Sequence, residues 1–181
     1  MTLEGERTPR VSRKGRIVLG AAIGLAASIL VYNGVAFTLA LHGEEGKPRD
    51  PDTGVLVGAE PRELGPEDGP CAALFIHGFG GAGTDFADLP EQLADAGWRV
   101  RIMLLPGHGT HPRDMKLQTP ESLIPAVREE VRKLKASHEK VILLSHSMGG
   151  SLSVIAASEL DVDGLVLGAP YFGVTYRWYY V

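Results

Sequence analysis

Ile17 to Leu41 runs for 25 residues without a charged side chain. As a helix this stretch would reach about 37 Å, enough to cross the apolar core of a bilayer with some tilt. Beyond it the apolar residues come in short runs. Cys71 to Ile76 is continuous, which predicts a strand buried on both faces. Trp98 to Leu105 alternates loosely and then turns apolar, a second strand. Val141 to Leu144 and Leu165 to Leu167 predict two more. Between the strands the period changes. Phe86, Leu89 and Leu93 share one helical face, with Thr84 or Asp85 as cap, Pro90 marking a break or a late start, and Gly97 as the stop. Thr119-Pro120 opens a helix whose stripe is Leu123, Val127, Val131 and Leu134. Glu129, Glu130, Arg132, Lys133 and Lys135 read as its solvated face. Leu152 to Leu160 is a further apolar helical run. Strand and helix therefore alternate, and the fold class is α/β: a mostly parallel sheet flanked by helices. Right-handed crossovers gather the strand C-terminal ends on one edge, with Phe79, His108, Ser147 and Ala169.

Charge and composition add a compartment. Arg7, Arg10, Arg13, Lys14 and Arg16 precede the apolar stretch against only Glu4 and Glu6. Residues 1–16 thus read as a basic cytoplasmic leader, 17–41 as a single transmembrane anchor, and the rest as extracytoplasmic. The rival is a secreted protein with a cleaved signal peptide, for which Thr38-Leu39-Ala40 loosely resembles a cleavage site. Gly20, Gly24 and Ser28 recur at four-residue spacing, either a homodimer seam or the ordinary small-residue content of membrane helices. Residues 42–69 are rich in Gly, Pro, Glu and Asp and read as a linker, with a short edge strand over Gly54–Gly58. The formal net charge is −4 despite the basic leader, so the body is acidic and no nucleic-acid partner is expected. One cysteine, Cys71, excludes an intrachain disulfide framework and a multi-cysteine zinc site.

The chemistry concentrates where the strand Val141–Leu144 meets the helix. In Ser145-His146-Ser147-Met148-Gly149 a serine stands on a sharp strand-to-helix turn among small residues. Such a turn strains the backbone and lifts the hydroxyl above the sheet, with a helix N-terminus behind it to stabilise an oxyanion. Ser145 stands where the G-x-S-x-G pattern has its first glycine. The plainer reading makes Ser147 only a helix N-cap. His77-Gly78-Phe79-Gly80-Gly81 ends the first strand, where a serine hydrolase keeps its second oxyanion donor. The donors would be the backbone N–H groups of Phe79 and Met148; otherwise the loop is a plain βα turn. His77 reads as an organiser of this loop rather than a base. His108 and His111 lie in a rigid loop without carboxylate or cysteine at ligand spacing, so no metal and no cofactor are expected.

Four motifs in order, HGFGG at 77–81, LPGHGTHP at 105–112, SHSMGG at 145–150 and LGAP at 167–170, resemble the α/β-hydrolase superfamily. The nearest likeness is to bacterial carboxylesterases and monoacylglycerol-lipase-like enzymes of the serine aminopeptidase type. The resemblance implies a serine esterase with Ser147 as nucleophile and the N–H groups of Phe79 and Met148 as oxyanion hole, acting on a small-molecule acyl ester; anchoring at the bilayer suits a lipid-like one. It also implies that His146 is not the catalytic histidine. The family's acid and histidine follow the nucleophile in chain order, yet no histidine follows Ser147 here, and Glu159, Asp161 and Asp163 all precede the Leu165 strand. Residues 70–181 therefore read as an incomplete α/β-hydrolase domain, the N-terminal part of a longer enzyme and inactive alone. In that case an unpaired sheet edge follows Leu167. The alternative is a non-catalytic, membrane-anchored binding or scaffold protein. Peptidase, acyltransferase and perhydrolase share the same turn and stay open.

Overall fold

The computed structural model describes residues 12–173, and the chain divides after Gly46 into two units. In the first, Ser12 caps a helix, α1 (Arg13–Glu45), its hydroxyl accepting the Gly15 N–H. The helix extends past the expected 17–41 at both ends, so Arg13, Lys14 and Arg16 of the leader lie within it; Arg7 and Arg10 fall outside the described residues. The hydroxyls of Ser28 and Thr38 and the amide of Asn33 each donate to the carbonyl four residues back, at 2.9 Å. These polar groups are thereby satisfied within the helix, which is what an apolar surrounding demands. Length and composition suit a membrane crossing, and a signal sequence shares both properties.

In the second unit, from Lys47, five strands among the described residues form one sheet in the order β1-β3-β2-β4-β5: β1 (Arg62–Leu64), β2 (Cys71–Ile76), β3 (Arg99–Ile102), β4 (Lys140–His146) and β5 (Gly164–Gly168). β2 to β5 are mutually parallel, and β1 runs antiparallel to β3. The helices are α2 (Leu89–Asp95), α3 (Pro112–Met115), α4 (Pro120–Ser137) and α5 (Met148–Ala157). Residues alternate across the sheet. Ala72, Leu74, Ile76, Val141 and Leu143 pack under α4 and α5, against the expected stripe Leu123, Val127, Val131 and Leu134. Ala73, Phe75, Val100, Ile102 and Leu144 face the other way, against Phe86, Leu93 and Trp98. β2 is fully buried from Ala72 to Ile76, as its unbroken apolar run requires.

Three sequence expectations are corrected. No strand forms over Gly54–Gly58; a single bridge joins Arg49 and Leu56. The Asp50 carboxylate accepts the N–H groups of Asp52 and Thr53 and the Thr53 hydroxyl, curling the chain. The Leu56 N–H then reaches Gly109 O at 2.7 Å, which docks this loop on the one after β3. The edge strand is β1, whose Glu63 pairs with Arg99 and Arg101. Second, the stretch expected as a linker over 42–69 packs with the second unit from Lys47 onward. Third, Glu130 is not solvated: its side chain, 15% exposed, meets Arg101 of β3 at 2.6 Å. Pro90 marks a late start, since α2 opens at Leu89 while Phe86 lies in a separate 3-10 turn, Gly83–Phe86. β5 closes the described sheet with Leu165 and Val166 exposed.

Candidate active site

Ser147 joins β4 to α5 with φ 52° and ψ −117°. A non-glycine residue holds such a backbone only when its surroundings impose it. Its N–H donates to Gly168 O at 2.9 Å, and its carbonyl accepts the N–H groups of Gly150 and Tyr171, both at 3.0 Å. Its own hydroxyl has no hydrogen-bond partner among the described residues. The small neighbours are there for space. A Cβ on Gly149 would lie 2.1 Å from Ile76 O, and one on Gly150 would lie 2.7 Å from the Pro170 Cβ. Ser145 fits in place of the pattern's glycine because it is buried with its hydroxyl directed to Val166 O, at 3.4 Å.

The loop after β2 passes beside this turn. A Cβ on Gly78 would lie 3.1 Å from the Ser147 Cβ and 3.2 Å from His146 Nδ1. The next residue, Phe79, exposes its ring and sets it edge-on to His108, centroids 6.2 Å apart. Among the described residues neither the Phe79 nor the Met148 N–H has a hydrogen-bond partner. Two free backbone donors thus border the Ser147 turn, one on a loop and one in the first turn of α5.

His77 ties the loop down. It is buried, and its Nε2 accepts the Leu105 N–H at 3.0 Å, so the proton sits on Nδ1 and is donated to Gly78 O at 2.8 Å. Burial holds its pKa below the ordinary 6.5, and the Gly78 hydrogen bond, which works the other way, does not offset it. The unfolded chain therefore takes up this proton first as pH falls, so stability drops from about 6.5 down to the folded pKa. His77→Ala strands the Leu105 N–H and should cost about 2 kcal/mol near neutral pH. The gap in thermal midpoint between wild type and His77→Ala should narrow as pH is lowered through that window. A gap that widens on acidification would contradict the neutral tautomer.

Among the described residues no other titratable candidate is bonded to the Ser147 hydroxyl. His111 caps α3 by accepting the Arg113 N–H, and Asp114 returns to the His111 N–H. His108 bonds the Pro106 carbonyl through Nδ1, and its buried Nε2 is unpartnered. Among the described residues no group of three His, Cys, Asp or Glu could hold a metal. Glu159 pairs with Arg128. Asp163 accepts the Val141 N–H at 2.7 Å, near the strand end opposite Ser147. The turn after β5, marked in the sequence by LGAP and Ala169, meets Ser147 through backbone hydrogen bonds, a contact that no side chain announces.

A family model described as serine aminopeptidase, S33 matches residues 70–180. A thermostable monoacylglycerol lipase from Bacillus sp. (strain H-257) is 37% identical over 113 residues, 62% of this chain and 44% of the lipase. A structure reported for LipS and LipT, two metagenome-derived lipolytic enzymes, superposes with TM-score 0.58 at 31% identity, over 62% of this chain and 46% of its own. The monoacylglycerol lipase of Paleococcus ferrophilus superposes with TM-score 0.51 at 27% identity, over 61% and 42%. The chain spans less than half the length of these relatives.

Proposed function

Because the chain belongs to the serine aminopeptidase S33 family of α/β-hydrolases, we propose that it carries the nucleophile half of a carboxylic-ester hydrolase acting on lipid-like acyl esters. One observation supports this most: Ser147 stands on a strained turn with two unpartnered N–H groups beside it. Ser147 Oγ attacks the acyl carbon, passes its proton to a general base, and expels the alcohol to leave an acyl-enzyme. The tetrahedral oxyanion is held by the N–H groups of Phe79 and Met148. Water then releases the acid. Glu159 pairs with Arg128 and Asp163 with the Val141 N–H, and among the described residues no side chain is bonded to the Ser147 hydroxyl. The lipid-like substrate class rests on the likeness to a monoacylglycerol lipase.

We further propose that α1 is an uncleaved anchor, with the leader cytoplasmic and the hydrolase unit extracytoplasmic. Alkaline carbonate extraction checks the anchor: release of the chain into the soluble fraction would favour secretion after cleavage.

The test of the chemistry is labelling of native cell fractions with an alkyl fluorophosphonate, followed by identification of the modified peptide. Adduct on Ser147 is the expected result. A recovered, folded chain modified elsewhere or not at all would favour the binding-protein alternative.

A further inference from the structure

The backbone of Ser147 is strained, so something outside its own turn has to hold it. The last residue of β5 and the segment after it do so from both sides. Gly168 O accepts the Ser147 N–H at 2.9 Å, and the Tyr171 N–H donates to Ser147 O at 3.0 Å. The Ser151 hydroxyl donates to Tyr171 O, tying the same segment to the first turns of α5. Pro170 occupies the space left free by Gly150. For Gly168 and Tyr171 to face Ser147 together, the chain has to reverse between them. Ala169 makes that reversal with φ 44°, a left-handed backbone that a residue with a side chain rarely takes. Its side chain is exposed, so its identity acts through backbone preference and not through packing.

We propose that Ala169 is a positioning residue for the reaction: its left-handed turn fixes the backbone of Ser147 and so the line along which the hydroxyl attacks. This rests on Ser147 being the nucleophile. Two substitutions separate the role from bulk stability. Glycine adopts positive φ freely, whereas a β-branched side chain is disfavoured there. Ala169→Gly therefore preserves the turn, and Ala169→Val opposes it while placing its extra methyl groups in solvent.

The full-length protein is prepared as wild type, Ala169→Gly and Ala169→Val. Two quantities are read: the rate of alkyl fluorophosphonate modification at Ser147, and residue-resolved amide hydrogen exchange at Ser147 and Tyr171. Labelling in the glycine variant should stay within about twofold of wild type. In the valine variant it should fall by roughly a hundredfold, as for a reacting group displaced by about 1 Å, and both amides should lose protection. Valine labelling as fast as wild type, or glycine and valine slowed equally, would overturn the proposal. Should even the wild type resist labelling, the nucleophile reading fails by itself, and exchange decides the rest. Protection lost in valine alone sustains the backbone role, and protection unchanged in valine removes it.

Discussion

Ser147→Ala is expected to lower ester hydrolysis by the complete protein by roughly 10⁴-fold or more, with its fold intact. The size follows from the role proposed for the side chain. No hydroxyl other than that of Ser147 stands on the strained turn between the free N–H groups of Phe79 and Met148. Removing it deletes the covalent route, while those donors still stabilise an oxyanion formed by water, which sets the residual rate. The hydroxyl makes no hydrogen bond among the described residues, so stability should change by less than about 0.5 kcal/mol. Hydrolysis of short and long p-nitrophenyl esters reads the first quantity and thermal unfolding the second. Turnover surviving in a folded alanine variant would end the assignment of Ser147.

Gly149→Ala is expected to have the largest effect on stability, about 3 kcal/mol or more. A Cβ there would lie 2.1 Å from Ile76 O and 2.6 Å from His77 O. Both are main-chain atoms, and Ile76 belongs to the fully buried central strand, so neither yields by rotating a side chain. Relief would have to lift α5 off β2, which also moves the Met148 N–H at its first turn. Chemical denaturation should show a lower midpoint at unchanged slope, and fluorophosphonate labelling should fall with it. At Gly20 or Gly24, where a Cβ meets nothing within 4 Å, the same substitution should leave the second unit's unfolding where it was. A Gly149→Ala midpoint equal to wild type would mean that α5 does not pack on β2 as described.

The parts legible in the sequence share a cause: local pattern and final environment agree. Cys71–Ile76 reads as a buried strand because every one of its residues is apolar, and α4 reads as a helix because its four buried residues keep one period. The Ser147 turn announces itself by small residues, each needed for a close backbone approach. What stayed hidden is long-range. β1 has two charged residues in three, and it is a strand only because β3 offers a register and two arginines to Glu63. The loop from Lys47 takes its form from the Asp50 carboxylate and its place from Gly109. Glu130 lies on a face that helical periodicity assigns to solvent, and Arg101, 29 residues earlier, turns it inward.

The pairing of β2 sets the order in which this unit can be assembled. β2 lies between β3 and β4, and its first residue, Cys71, is in register with Lys140. During synthesis at about 5–20 residues per second, β2 waits several seconds for that partner. Until then its β4 side is an open row of backbone donors and acceptors along the most apolar strand of the unit, a template for pairing with other chains. Translation that stalls between Ile102 and Lys140 leaves that template exposed, so the loop and α4 that lie between are the interval over which the nascent chain most needs a chaperone.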